Sequence, residues 1–194
     1  EEYRYRIVKS FNYEDKIILS SIQEKAYNNI ISSPKLINLL YGITGSGKTE
    51  IYMKLIEHYI NEGKSCLILV PEIGLTPLMI SRIISYFSED LVGILHSSLT
   101  NNERYDEYRK IKNGKTRIVV GTRSAIFAPL KNLGLIIIDE EHDESYKQEN
   151  DLCYSAIDVS LLRAKECNCK VVIGSATPSI EDMCKAKNNK YNLV

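Results

Sequence analysis

Residues 42–49 read Gly42-Ile43-Thr44-Gly45-Ser46-Gly47-Lys48-Thr49. The pattern Gly-x-x-x-x-Gly-Lys-Thr requires a strand to deliver it and a helix to follow it, and both signals are present. Leu36-Ile37-Asn38-Leu39-Leu40-Tyr41 is a short apolar run stopped by a glycine, which reads as a buried strand. Beyond the motif, Ile51, Leu55, Ile56, Tyr59 and Ile60 recur near helical spacing, with Gly63 as the stop. Gly42, Gly45 and Gly47 let the backbone turn tightly with its N–H groups pointing inward. Those donors and the positive end of the helix make a cradle for phosphate, and Thr44 and Ser46 belong to the same loop. Lys48 is expected to reach the β- and γ-phosphates of ATP, and the Thr49 hydroxyl to ligate Mg²⁺.

A second cluster supplies what this loop lacks. The apolar run Leu135–Ile138 delivers Asp139-Glu140-Glu141-His142 to a strand end, and five of the six residues 139–144 are acidic. Packing like charges is costly unless a cation or solvent screens them. Asp139 is expected to hold Mg²⁺ through water. Glu140 is expected to orient the attacking water and take its proton, so that hydrolysis rests on positioning and charge stabilisation. Lys48, Asp139 and Glu140 are thus the expected catalytic set. A solvated acidic turn is the plain alternative for the cluster taken alone.

Between and beyond these motifs apolar runs alternate with helical stretches. Further strands are expected at 65–70, 91–95, 117–121, 135–138 and 170–174. A helix is expected to begin at Ser20-Ser21 with Ile22, Ala26, Ile30 and Ile31 on one face, and others are expected at 75–87, 101–112, 155–166 and 180–187. Strands that are apolar throughout suit a parallel sheet covered on both faces. The alternation gives the α/β class, a doubly wound, mostly parallel sheet whose ligands bind beyond the strand carboxyl ends. Residues 1–18 carry no clear period and read as an incoming linker, leaving 19–194 as one domain of ordinary size. The chain starts Glu1-Glu2 and ends Tyr191-Asn192-Leu193-Val194, an apolar run without an obvious stop, so both ends read as cuts in a longer protein.

Composition narrows the class. With 25 basic and 25 acidic residues the formal net charge is zero, so no global electrostatic footprint of a nucleic-acid binder exists, although a local basic strip suffices for contact. These residues contain no secretory h-region and no apolar run long enough to span a bilayer. The five cysteines, Cys66, Cys153, Cys167, Cys169 and Cys184, are odd in number and contain no C-x-x-C pair. A reduced, cytoplasmic chain with no zinc and no membrane partner is expected.

Further segments follow the strands in a specific order: Pro71-Glu72-Ile73-Gly74-Leu75-Thr76-Pro77, then Leu95-His96-Ser97, then Gly121-Thr122-Arg123-Ser124-Ala125-Ile126-Phe127. The acidic box runs on as Asp143-Glu144-Ser145-Tyr146-Lys147-Gln148, and Gly174-Ser175-Ala176-Thr177-Pro178-Ser179 closes the set. In this order the chain resembles the first RecA-like helicase lobe of the PriA family, superfamily 2 DNA helicases that restart stalled replication forks. The phosphate loop and acidic box are generic to that superfamily. Pro71–Pro77, Gly121–Phe127 and Glu141–Gln148 are more particular to PriA. Leu78 and Tyr108 stand where the family has Gln and Trp.

The resemblance implies an ATP-dependent 3′→5′ DNA motor acting on forked or single-stranded DNA. Its partners would be a single-stranded-DNA-binding protein and primosome components, and a second lobe lying outside these residues would carry an arginine finger. It implies that Gln23 reads adenine, although Ile22 precedes it where an acidic residue is expected and a helix-surface glutamine is the alternative. It implies that Thr76, Arg123 and Ser124 touch the DNA backbone, Arg123 through bidentate phosphate pairing, with a surface salt bridge as the alternative. Tyr146 and Lys147 fall in an aromatic-rich loop, Glu144–Tyr154, whose rings would stack on bases; a disordered loop with scattered tyrosines is the other reading. His142, Ser175 and Thr177 would relay between nucleotide and DNA. Three other functions stay open: another superfamily 2 motor, such as an RNA helicase or restriction translocase, a nucleotide-gated binding module without motor activity, and, more weakly, a small-molecule kinase.

Overall fold

The strands are apolar on both sides, and the sheet they form is buried on both faces. The computed structural model describes residues 17–150 and 152–194, so the linker expected at residues 1–18 lies, apart from its last two residues, outside the described residues. In chain order the main elements are α1 (Ser21–Ser32), β1 (Ile37–Tyr41), α2 (Lys48–Asn61), β2 (Ser65–Leu69), α3 (Pro77–Phe87), β3 (Val92–Leu95), α4 (Asn101–Lys112), β4 (Ile118–Gly121) and β5 (Leu133–Ile138). There follow β6 (Lys147–Gln148), β7 (Tyr154–Ser155), α5 (Ala156–Cys167), β8 (Lys170–Ser175), α6 (Ile180–Lys187) and β9 (Asn192–Leu193). Seven strands form one sheet in the order β3-β4-β2-β5-β8-β1-β9, and every pairing in it is parallel.

Successive residues of a strand point to opposite faces, and both sets here are apolar. In β5, Leu135 and Ile137 join the core beneath α1, α2 and α3, while Ile136 and Ile138 join the core that contains Ile111 of α4, Ala164 of α5 and Ala186 of α6. Fully burying one such side chain contributes about 1.5–3 kcal/mol. This doubly wound arrangement is the one expected from the alternating pattern.

The helix ends follow the sequence closely. Ser20, Thr76, Thr100, Ser155 and Ser179 cap α1, α3, α4, α5 and α6 through their side chains. After α2, Gly63 adopts φ 78°. Its N–H bonds Ile60 O while the Lys64 N–H bonds Tyr59 O, a left-handed C-terminal cap that a side chain would strain.

Two pieces depart from the expected layout. The terminal apolar run forms β9, which pairs with Asn38 and Leu39 of β1 and closes that edge. Asn192 Nδ2 donates to both Asn29 Oδ1 and Asn38 Oδ1 at 2.8 Å, a long-range tie that no local pattern announces. The described part of the aromatic-rich loop holds a short antiparallel hairpin, β6 with β7, rather than open coil.

Candidate active site

Strand order decides which loops meet. β8 lies between β1 and β5, so its end separates the phosphate loop from the acidic box and touches both. The Gly42 N–H donates to Ser175 O at 3.2 Å, and the Glu141 N–H donates to Gly174 O at 3.2 Å.

At the phosphate loop, α2 starts from Gly47 at φ 84° with no side-chain cap, whereas each of the other five α-helices among the described residues has one. The first-turn N–H groups of α2 are thus left for an anion. Thr44, Gly45 and Ser46 are exposed and Thr49 is half-buried in the first turn. A Cβ at Gly45 would meet nothing within 4 Å, so the loop is open at its centre. Lys48 is buried, its Nζ donating to Gly42 O at 2.8 Å and lying 3.8 Å from Glu140 Oε1. An ammonium resting on its own loop's carbonyl beside an uncapped helix end suits a phosphate chain. A cluster of three or more His, Cys, Asp or Glu side chains able to hold a metal is not found among the described residues. A Mg²⁺ site needs no such cluster, because this ion takes one or two protein oxygens and completes its shell with water and substrate phosphate.

Gln23 stands at the same loop. Its Oε1 accepts from the Ser20 N–H at 2.8 Å and its Nε2 donates to Gly47 O at 3.2 Å. The amide ties α1 to the phosphate loop, and it retains one proton and one lone pair for a ligand.

Across the loop, Asp139 and Glu140 differ in environment. Burial, and then the adjacent Glu140 charge, raise the Asp139 carboxyl above its ordinary value, while a hydrogen bond from Tyr52 pulls it down. Tyr52 donates to Asp139 Oδ1 at 2.9 Å, and burial holds its phenol in the protonated form. Glu140 sits between the Lys48 ammonium on one side and the His142 ring on the other, whose Nδ1 lies 3.7 Å from its Oε2. Its backbone adopts φ 47°, the left-handed region that a glutamate rarely enters.

The three residues expected to form a relay come together: His142 Nδ1 is 3.2 Å from Ser175 Oγ, and that oxygen accepts the Thr177 N–H at 3.2 Å. Glu141, one residue along, accepts the Ser179 N–H on Oε2 at 3.4 Å. Burial, with Asp182 alongside, raises its carboxyl.

The remaining expected residues separate. Thr76 and Ser124 are exposed, Thr76 as the cap of α3. Among the described residues Arg123 forms no salt bridge; its Nη1 donates to Ser145 O at 3.1 Å and to Lys147 O at 2.6 Å. These carbonyls flank Tyr146, which corrects one expectation. Tyr146 is only 1% exposed, so its ring cannot stack on a base. Its hydroxyl lies 2.5 Å from Asp139 O and 3.1 Å from Leu69 O. Apolar flanks from β2 and β5 take the ring because a phenol can be buried where two carbonyls meet its hydroxyl. Lys147 stays exposed. Phe127, 54% exposed and in edge contact with Tyr154 at 5.1 Å, is the accessible aromatic here.

The profile of the DEAD/DEAH box helicase family matches residues 20–186, from the cap of α1 into α6. The chain belongs to this family. Within it, the replication restart protein PriA of Bacillus subtilis (strain 168) is 46% identical over 190 residues, 96% of this chain and 24% of its own length. PriA of Chlamydia pneumoniae is 47% identical over 176 residues, 88% of this chain and 23% of its own. The chain therefore spans about a quarter of the length of these relatives, and the resemblance to the first PriA helicase lobe stands. Among solved structures, RecG bound to a three-way DNA junction matches with a TM-score of 0.65 at 26% identity, over 96% of this chain and 24% of that one. The UvsW helicase of bacteriophage T4, at a TM-score of 0.61 and 20% identity over 88% of this chain and 57% of its own, shares the fold.

In this DEAD/DEAH box lobe, sequence reading missed Tyr52, which passes for an ordinary core position of an amphipathic helix. Its spacing of one helical turn after Lys48 was the available signal.

Proposed function

We propose that this chain is the nucleotide-binding lobe of a replication-restart DNA helicase that couples ATP hydrolysis to 3′→5′ translocation at stalled forks. The observation that carries the reading is the uncapped start of α2, with Lys48 buried between it and Glu140. The PriA relatives, and the RecG structure with its DNA junction, support the choice of DNA.

In this reading the α2 N–H groups, Thr44, Ser46 and Lys48 hold the phosphates, and Gln23 meets the base. Thr49 and Asp139 would hold Mg²⁺, which would supply neutralising charge to the phosphates. Glu140 takes a proton from water as that water attacks the γ-phosphorus and ADP leaves in line. His142 lies beside Glu140 and Ser175 beside Thr177, so a shift at the end of β8 reaches both loops. Arg123 retains donors beyond the two bonds it makes, and with Ser124, Thr76 and Lys147 it offers a local strip to a strand backbone. In the full protein a single-stranded-DNA-binding protein and primosome components would bind elsewhere.

The test is ATP hydrolysis with and without forked DNA, in the parent protein and in Glu140→Gln. The expected result is strong DNA stimulation that falls by at least about 10²-fold in the variant, in the range of losing a positioned proton acceptor, with ATP binding retained. Stimulation by RNA and not by DNA would replace this reading with an RNA motor.

A further inference from the structure

The Asp139 carboxylate is held by a residue with no assigned role. Tyr52 follows Lys48 by one turn of α2, is 2% exposed, and directs its hydroxyl at Asp139 Oδ1, 2.9 Å away. A buried hydroxyl without a partner is costly, and here Asp139 is that partner. The opposite wall is built to admit it. A Cβ on Gly174 would fall 1.7 Å from the Tyr52 oxygen and 3.5 Å from Asp139 Oδ1, so any side chain there would drive the phenol off the carboxylate. The Tyr146 hydroxyl meanwhile sits 2.5 Å from the main-chain oxygen of Asp139. One tyrosine thus meets the side chain and another the backbone of the same residue.

We propose that Tyr52 is a positioning residue: its hydroxyl fixes the plane of the Asp139 carboxylate and thereby sets the affinity of the site for Mg²⁺ with nucleotide. Gly174 leaves the space that this contact needs. The proposal rests on the reading of Asp139 as the metal-holding carboxylate. Partners that orient a metal-holding group typically change metal affinity by about 10- to 100-fold when removed. The ring of Tyr52 also packs in the core beneath α2, so a purely structural tyrosine would be replaced by phenylalanine with no effect on metal.

The experiment is a Mg²⁺ titration of fluorescent ADP binding by the purified protein, with thermal midpoints and metal-free ADP affinity measured alongside. Tyr52→Phe is expected to raise the half-saturating Mg²⁺ concentration about 10-fold while leaving ADP affinity in EDTA unchanged. Gly174→Ala, which keeps the hydroxyl but crowds it, is expected to give a shift in the same direction. Asp139→Asn is the reference and should shift the titration at least as far. If Asp139→Asn shifts it and Tyr52→Phe alters only the thermal midpoint, the inference is overturned and the reading of Asp139 survives. If Asp139→Asn also leaves the titration unmoved, that reading fails and the inference falls with it.

Discussion

At Glu140 the chain holds a glutamate at φ 47°, where a side chain costs roughly 1–2 kcal/mol relative to the right-handed region. Glu140→Gly should therefore stabilise the nucleotide-free fold by about 0.5–1 kcal/mol, the relief being partly offset by the freer unfolded chain. The urea midpoint should rise while hydrolysis is lost. Asp139 makes the same trade electrostatically. Its carboxyl is raised above its ordinary value by burial and by Glu140, so the folded state binds the proton more tightly than the unfolded chain does. Folding is penalised where the group is charged, and the penalty fades as pH falls through the raised folded value. Asp139→Asn is accordingly expected to raise the thermal midpoint of the nucleotide-free protein at pH 7, and the gain should shrink on acidification. A variant less stable than the parent at neutral pH would count against this balance.

Among the elements, β9 and the β6–β7 hairpin show how distant parts are fastened. Asn38 is fully buried and its amide oxygen accepts from Asn192. Removing that donor leaves a buried acceptor unsatisfied, so Asn192→Ala should cost about 1–3 kcal/mol in chemical denaturation. The hairpin depends on the two carbonyls that the Arg123 guanidinium gathers on either side of Tyr146. Lysine offers a point charge and not a fork. Arg123→Lys should therefore behave like Arg123→Ala, lowering DNA-stimulated hydrolysis several-fold. Full activity in the lysine variant would reduce Arg123 to a simple charge. Arg123 thus holds the two neighbours of Tyr146, whose hydroxyl meets the main-chain oxygen of Asp139.

For the whole molecule, two large apolar side chains stand exposed at the phosphate loop, Ile43 at 73% and Tyr41 at 53%. The chain by itself is expected to bind ATP weakly and to hydrolyse it about 10³-fold more slowly than a protein in which a second lobe supplies an arginine to the developing charge. Robust DNA-stimulated turnover by this chain alone would contradict that. Among the described residues no helix is long and apolar enough to cross a membrane.

Local chemistry made much of this legible in the sequence. The elements, their caps and the class of fold follow from apolar periodicity, from Ser and Thr ahead of helices and from glycine after α2, because each depends on neighbours a few residues away. The phosphate loop and the acidic box are likewise contiguous, so their chemistry can be read without a fold. Tertiary structure decided what depends on strand order and burial. Placing β8 between β1 and β5 brings Ser175 to both loops, and facing Gly174 toward α2 makes room for the Tyr52 hydroxyl on Asp139. Tyr146 shows the difference most plainly. Its sequence neighbours mark a polar, exposed loop, but the carbonyls of Leu69 in β2 and of Asp139 just past β5 meet its hydroxyl and allow the ring into the core. Contacts across 77 and 7 residues of chain carry no local periodicity, and only the folded arrangement determines which of them form.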